Sequence, residues 1–312
     1  MTETPGPGPL AVLPTADALF VDAVRSAGGT VAPLSAATRG IVWLDNAGGA
    51  GLDEVLESHP AVDWVQLPWA GVDSFAEVLR RHDRPGRVWT SAKGAYARPV
   101  AEHALTLLLG LLRLLPRRIR AESWGGKGGS SLHGLQVLIV GAGGIALELV
   151  RLLQPFGVDV TIVRRTTAPV AAAGRTVGID RLDEVLPSAD VVVLAAPLTP
   201  GTSGLFDAAR LGRMKPGAYI VNVARGALLD TDALLAALDD GRLSGAGLDV
   251  TDPEPLPDGH PLWRHPRAIV TPHTADTPEM TRPLLADRVR ANVGAYLAGG
   301  GFTGVVDPGQ GY

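Results

Sequence analysis

The stretch Gln136-Val-Leu-Ile-Val-Gly-Ala-Gly-Gly-Ile-Ala146 restricts what this chain can fold into more than any other. A short apolar run ends at Gly141, and a helical pattern succeeds it, with Ile145, Leu149, Leu152 and Leu153 at helix spacing. Strand, glycine turn and helix in that order is the setting of a dinucleotide-binding turn. Gly141 would allow the tight turn, and Gly143 would let the backbone approach a pyrophosphate. Ala146, in the third small-residue position, would permit close helix–strand packing. Gly143, Gly144 and Ile145 open the helix, where unpaired N–H groups and the helix dipole favour an anion. Alone the motif is weak, because glycines also punctuate loops that bind nothing. Its value depends on the residues C-terminal to it.

Those residues form a regular series of strands and helices. Val158 to Val163, Val191 to Ala195, Tyr219 to Val223, Gly245 to Val250 and Ala268 to Val270 read as strands. Leu182 to Leu186, Gly204 to Leu211 and Thr231 to Asp239 read as helices between them. The all-apolar run at 191–195 has the composition of a buried parallel strand. The spacing predicts a doubly wound sheet over about 98–277. Before it, Leu10 to Leu13, Ile41 to Leu44, Asp63 to Leu67 and Val88-Trp89 predict the strands of a smaller α/β domain, with a helix over Ala16 to Ala27. One long helix is expected from Pro99 to about Ile119, then a glycine- and serine-rich connection from Glu122 to Gly134. The helix from Pro278 to Leu297 is expected to return to the first domain. A length of 312 residues suits two domains at ~150 residues each.

Composition narrows the classes. A net charge of -4 suggests neither a nucleic acid nor a membrane surface as partner. The absence of cysteine excludes disulfides, thiolate catalysis and cysteine-ligated zinc, and suits the cytoplasm. Met1 to Pro9 has neither the basic start nor the apolar core of a signal peptide and reads as a disordered lead. The most apolar helix, around Leu105 to Leu115, is too short and too closely flanked by arginine to span a bilayer. No His/Asp/Glu set shows metal spacing, so no metal is expected; His59, His82, His103, His133, His260 and His265 are read as structural or surface residues.

In open α/β sheets, ligands bind beyond the carboxyl ends of the strands. There the sequence puts Arg225, in Val-Ala-Arg-Gly; Asp249 and Glu254, in Leu-Asp-Val-Thr-Asp-Pro-Glu-Pro; and His273, in Thr-Pro-His. Singly, each has an ordinary structural reading as a surface ion pair or a turn residue. Together they could converge on one rim.

This set of motifs, in this order, resembles the D-isomer-specific 2-hydroxyacid dehydrogenases. The residues that carry the resemblance are Val137 to Ala146, Pro197-Leu-Thr-Pro-Gly-Thr202, Met214 to Gly226, Gly247-Leu-Asp-Val250, Pro253-Glu-Pro255 and Thr271-Pro-His273, with Ala70-Gly-Val-Asp73 and Val100-Ala-Glu-His103 as anchors earlier on. The resemblance implies a two-domain α/β protein. A doubly wound parallel-sheet (Rossmann) cofactor domain would span 98–277, and a smaller flavodoxin-like α/β substrate domain would be built from 1–97 and 278–312. It further implies an oxidoreductase that moves a hydride between NAD(P)H and a small 2-oxo acid of the glyoxylate or hydroxypyruvate type.

By resemblance, Arg225, Glu254 and His273 are the catalytic residues. Arg225 would fork onto the substrate carboxylate and carbonyl. His273 would donate a proton to the developing alkoxide. Glu254 would hold the imidazole and favour its charged form. Gly141, Gly143, Gly144, Ile145, Arg164, Arg165, Pro197, Thr202, Val223, Ala224, Arg225, Asp249 and His273 would border the cofactor. Trp69, Ala70, Gly71, Val72, Tyr96 and Arg225 would border the substrate, the turn at 69–72 through its N–H groups. A homodimer is expected, from the apolar helix around Leu105 to Leu115 and from the resemblance.

The chain departs from the family at points that bear on substrate and cofactor. Arg164-Arg165 stands where an acidic residue is common, which favours NADP while leaving NAD possible. Thr274-Ala-Asp276 replaces a glycine after the histidine, and Tyr96 stands where asparagine is common. Two alternatives share the fold: an NAD(H)-sensing, corepressor-like binding protein and a 3-phosphoglycerate dehydrogenase. A formate dehydrogenase-like enzyme would carry Gln in place of Glu254.

Overall fold

The computed structural model describes residues 7–309 apart from 46 and 172, and the chain divides into two compact units, residues 1–96 with 277–312 and residues 97–276. The expected disordered lead falls largely outside the described residues.

Unit 1 begins with β1 (Leu10–Leu13), α1 (Ala18–Ser26), β2 (Gly40–Trp43), α2 (Ala50–Ser58), β3 (Trp64–Gln66), α3 (Ala76–Arg81) and β4 (Val88–Thr90). The strands form a parallel sheet in the order β1-β2-β3-β4. Val31 adds a single parallel bridge on the outer side of β1, at Leu10. Counting that bridge as a reduced second strand gives the order 2-1-3-4-5 of flavodoxin-like sheets. The core is aliphatic and aromatic together: Ile41, Leu52, Val65, Leu67, Phe75 and Trp89 are all buried. Among them runs a buried polar network. The Trp64 indole N–H donates to Thr90 Oγ1 at 2.9 Å, and that hydroxyl donates to Gln66 Oε1 at 2.9 Å.

Unit 2 opens with α4 (Ala97–Leu112) and α5 (Leu115–Ile119). The single long helix expected to Ile119 is therefore two. The break is chemical: Pro116 has no N–H with which to continue the ladder. Leu114 takes a left-handed φ of 56°, and the Leu112 carbonyl accepts from Ser130 N at 2.8 Å instead. Then come β5 (Gln136–Val140), α6 (Gly144–Leu153), β6 (Asp159–Arg164), β7 (Arg175–Gly178), α7 (Leu182–Val185), β8 (Val191–Leu194), α8 (Ala208–Arg213), β9 (Ala218–Asn222), α9 (Thr231–Asp239), β10 (Leu243–Leu248) and β11 (Ala268–Val270). The helix expected from Gly204 starts at Ala208, because Asp207 caps it by accepting from Arg210 N at 2.8 Å. All pairings are parallel, in the order β11-β10-β9-β8-β5-β6-β7. That is a doubly wound sheet whose strand order reverses between β5 and β8.

The apolar face of α4 is spent inside this unit. Leu107, Leu108, Leu111 and Leu112 are buried, and α4 packs on α6 and on β9, β10 and β11. Each such leucine is worth about 1.5–3 kcal/mol relative to exposure. The surplus apolar surface expected on α4 thus lies elsewhere in the unit, at Leu115, Ile119, Trp124 and Leu147, which are exposed. The chain then returns to unit 1 through α10 (Pro278–Leu297), which packs on α1.

No helix among the described residues is long and apolar enough to cross a membrane.

Candidate active site

Strand registry sets the geometry of unit 2. Val163, Val140, Leu194, Asn222, Leu248 and Val270 pair across β6, β5, β8, β9, β10 and β11, so they form one row at the carboxyl edge of the sheet. Neighbouring strands lie about 4.8 Å apart. The segments that leave this row carry the residues singled out in the sequence.

After β5, Gly141 adopts φ 120°, and its N–H donates to the Val163 carbonyl at 2.7 Å. A Cβ there would strike the Ala195 carbonyl, so glycine is required twice over, by conformation and by space. Gly143 precedes the first turn of α6 and offers no side-chain cap; a Cβ on it would meet nothing within 4 Å. The N–H groups that open α6, at Gly144 and Ile145, thus face an approachable backbone, which fits a pyrophosphate. Ala146 is fully buried. Arg164 ends β6, its Nη1 donating to the Ala168 carbonyl at 3.5 Å, and Arg165 beside it is exposed. After β8, Thr202 Oγ1 donates to the Pro197 carbonyl at 2.7 Å and accepts from Thr199 N at 2.8 Å. The Thr202 hydroxyl therefore shapes its own loop.

After β9, Asn222 is the hinge of the arginine turn. It is fully buried; its amide donates to the Arg225 carbonyl at 2.9 Å, and its oxygen accepts from Ala224 N at 3.1 Å. Val223 and Ala224 are buried within this turn, and the half-buried Arg225 donates from Nη1 to the Ala224 carbonyl at 2.7 Å. A Cβ on Gly226 would run into the Thr251 carbonyl, so the arginine turn lies directly on the loop that carries Glu254. That loop is tied down by Thr251 Oγ1 to the Pro253 carbonyl at 2.9 Å and by Thr231 Oγ1 to the Asp252 carbonyl at 2.7 Å.

After β11, His273 is a non-glycine residue at φ 51°. Such a residue is strained and persists only where its surroundings hold it. Here its N–H donates to the carbonyls of Asp249, at 2.8 Å, and Thr271, at 3.0 Å. The imidazole meets Glu254 Oε1 through Nδ1 at 2.6 Å, with both side chains partly open to solvent. Nδ1–H facing the carboxylate leaves Nε2 as the outward nitrogen.

Asp249, expected to border the cofactor, has its carboxylate turned inward. Oδ1 accepts from Thr271 Oγ1 at 2.7 Å and from Thr274 N at 2.9 Å, and Oδ2 accepts from Ala275 N at 3.0 Å. His103 Nε2, which lies 2.9 Å from Thr271 Oγ1, is 3.4 Å from Oδ1. Burial pushes the Asp249 carboxyl up, but these hydrogen bonds, led by that of His103, outweigh it and hold the group below its ordinary range. Asp249 so acts as the clamp on the His273 loop.

His103 belongs to that clamp, a part that its place in the sequence does not reveal. Asn222 is a second residue that sequence reasoning misses, although a polar residue closing the run Ala-Tyr-Ile-Val is a legible signal. Asp276 stands out in the sequence only as a departure from the family. Burial pushes its carboxyl above the ordinary range; His273 and Arg225 draw it back, and Asp249 adds to the rise.

In unit 1, the turn after β3 places Trp69, Ala70 and Gly71 half-buried and Val72 in the core. The Trp69 carbonyl accepts from Ala92 N at 2.9 Å. Tyr96 is buried, its hydroxyl donating to the Pro68 carbonyl at 2.6 Å. Among the described residues, no group of three or more His, Asp or Glu could hold a metal ion.

A histidine braced by a carboxylate stands two strands along the sheet from an arginine, and the same sheet edge carries a glycine turn that opens a helix, a set of groups chemically able to donate a proton and to bind anions. Comparison with known proteins narrows the class. The profile of the D-isomer specific 2-hydroxyacid dehydrogenase NAD binding domain matches residues 105–275. The chain is 40% identical over 259 residues, covering 80% of it, to an uncharacterized protein in the proB 3' region of Corynebacterium melassecola, covering 84% of that protein. It is 34% identical over 271 residues to glyoxylate/hydroxypyruvate reductase A of Serratia proteamaculans, covering 85% and 80% of the two chains. The crystal structure of a D-isomer specific 2-hydroxyacid dehydrogenase from Xanthobacter autotrophicus, in complex with NADPH and MES, superposes with a TM-score of 0.82 at 28% identity over 98% and 99% of the chains. The protein belongs to the D-isomer-specific 2-hydroxyacid dehydrogenases, oxidoreductases that act on the CH–OH group with a nicotinamide cofactor.

Proposed function

We propose that this enzyme reduces a small 2-oxo acid of the glyoxylate or hydroxypyruvate kind, prefers NADPH, and works as a homodimer in the cytoplasm. Arg225, Glu254 and His273 are its catalytic residues in this reading. The observation that carries it is the 2.6 Å His273–Glu254 pair, beside the Arg225 turn that packs on the Glu254 loop. A bound reduced nicotinamide supplies the hydride when it is present. The chain's own residues do the rest. The Arg225 guanidinium binds the substrate carboxylate and polarises the 2-oxo group. His273 Nε2 gives its proton to the oxygen as the C–H bond forms, yielding the 2-hydroxy acid. Glu254 accepts from Nδ1–H, fixes the ring and balances the imidazolium charge before transfer. The turn at Trp69–Val72 and Tyr96 shape the substrate side of the reading; Gly141, Gly143, Gly144, Ile145, Pro197, Thr202, Val223 and Ala224 border the cofactor.

Similarity to the Serratia reductase supports the substrate kind, and Arg164 with Arg165 supports the cofactor. The corepressor-like and phosphoglycerate dehydrogenase alternatives are not favoured by the site or by these relatives. The test is a panel of 2-oxo acids assayed with NADH and NADPH. Turnover of glyoxylate or hydroxypyruvate is the expected result, and failure to turn over either would overturn the reading.

A further inference from the structure

The carboxyl edge of the sheet in unit 2 is reached by a helix as well as by its strands. On α4, Leu111, Leu107 and His103 are four residues apart, about 6 Å of helix per step; on β10 and its exit, Gly245, Gly247 and Asp249 are two apart, about 6.6 Å of strand per step. The two series meet member by member. A Cβ on Gly245 would come within 3.1 Å of Leu111 Cδ2, and one on Gly247 within 2.9 Å of Leu107 Cβ; His103 Nε2 lies 3.4 Å from Asp249 Oδ1. The two glycines admit the helix to the strand. The match in rise then carries the histidine past the end of the sheet, to the loop that follows β11.

The direction of each hydrogen bond follows from the hydrogens available. The Asp249 carboxylate, held ionised by its donors, only accepts. The one hydrogen of the Thr271 hydroxyl goes to Asp249 Oδ1 at 2.7 Å, since the Leu248 carbonyl at 3.5 Å is the poorer acceptor. Thr271 Oγ1 therefore accepts from His103 at 2.9 Å, and Nε2 is the ring nitrogen that carries the hydrogen. Beyond the carboxylate, Asp249 gathers three successive amides. Thr274 and Ala275 donate to its side chain, and His273 donates to its carbonyl. These bonds keep His273 at its φ of 51°. The Arg225 turn has a holder of its own, the Asn222 amide.

We propose that His103 is a positioning residue for the reaction: its Nε2–H, acting through the Thr271 hydroxyl, fixes the Asp249 carboxylate and with it the loop that aims His273. The inference rests on the reading of His273 as the proton donor and adds to it a residue on α4. The side chains of His103 and Asp249 are only 20% and 2% exposed, so water is a poor substitute for the donor.

The test uses His103→Leu, Thr271→Val, the double variant and His103→Gln, whose amide nitrogen can take the place of Nε2. Thermal melting checks folding. Single-turnover oxidation of NADPH is followed with glyoxylate or hydroxypyruvate, whichever the wild type turns over faster. His103→Leu should slow it about 10- to 100-fold, the worth of one hydrogen bond to a charged network, while KM stays within about threefold because the Arg225 turn is held separately. His103→Gln should restore the rate to within about threefold of wild type. The double variant should be no worse than the slower single one by more than about threefold, since both remove one relay. A near wild-type rate in His103→Leu, no rescue by Gln, or losses that multiply in the double variant would overturn the proposal. Should His103→Leu not fold, Thr271→Val, which removes one hydroxyl at nearly constant volume, carries the same expectations for rate and KM. Hydrogen exchange gives a readout that needs no turnover. Amides of 273–275 should exchange at least about 10-fold faster in His103→Leu and in Thr271→Val, with those of Val137–Val140 unchanged. Should no 2-oxo acid be turned over, the substrate reading fails, and exchange alone decides the role of His103: unchanged protection of 273–275 overturns it.

Discussion

A single side chain, Arg225, concentrates the binding and the polarisation of the substrate in the proposed chemistry. Each charge-assisted hydrogen bond is worth about 1.5–3 kcal/mol, so Arg225→Ala should lower kcat/KM for glyoxylate at least about 100-fold. A folded variant with near wild-type kcat/KM would remove Arg225 from the catalytic set. Asp276 allows a prediction about pH. Its folded-state pKa is raised, chiefly by burial, so folding is favoured by the protonated form. That contribution is full below the ordinary aspartate value and is lost as pH rises through the raised one. Asp276→Asn, which is always neutral, should therefore melt higher than wild type near pH 7, and the difference should shrink as pH falls to about 3.8. A difference independent of pH would show that the effect is steric. At this scale the sequence tells much about the residues that leave the strands and little about those that hold them. Arg225, Glu254 and His273 can be found because each comes after an apolar run. The inward turn of the Asp249 carboxylate cannot, because it depends on His103, 146 positions earlier in the chain.

Among the elements, the strands are the most legible. Val191–Leu194 and Val137–Val140 are apolar at every position because both faces of the sheet are covered. The edge strand β7, Arg175–Gly178, is not legible, since one covered side leaves it short and half polar. The division of α4 from α5 escapes the sequence for a related reason. Leucines continue at helix spacing across Leu111 to Leu115, so periodicity carries on past the point where Pro116 stops the hydrogen-bond ladder. The end of β6 is where an element bears on the proposed cofactor choice. It delivers Arg164 and Arg165 in place of the carboxylate that would hold a ribose 2′-hydroxyl. We expect Arg164→Asp to weaken use of NADPH by up to about 100-fold while affecting NADH far less, as removal of one or two charge-assisted bonds implies. Steady-state kinetics with both cofactors, on wild type and variant, measure it. Equal use of the two by wild type would show that these arginines do not read the 2′-phosphate.

For the molecule as a whole, the exposed apolar residues of unit 2 bear on assembly. Trp124 is 98% and Ile119 79% exposed, with Leu115 and Leu147 also open. Large apolar side chains left facing water to this degree favour association, and they support the proposed homodimer. Light scattering at micromolar concentration should give twice the chain mass of 32.4 kDa. Replacing Ile119 and Trp124 with Ser should shift that mass toward one chain, and a monomeric wild type would refute the homodimer. The order in which unit 1 is put together has a consequence for how the protein is made. Its buried Gln66 receives a hydrogen bond from Asn292 at 2.8 Å, and the Trp89 carbonyl receives one from Val306 at 2.9 Å. All of unit 2 lies between those partners in the chain. A ribosome therefore completes unit 2 while unit 1 still lacks α10, the covering of its sheet and the acceptor–donor pairs of its core. Until α10 and Val306 emerge, the nascent chain carries a finished cofactor unit joined to an unfinished apolar one, which stays exposed to chaperones and to aggregation throughout the synthesis of unit 2.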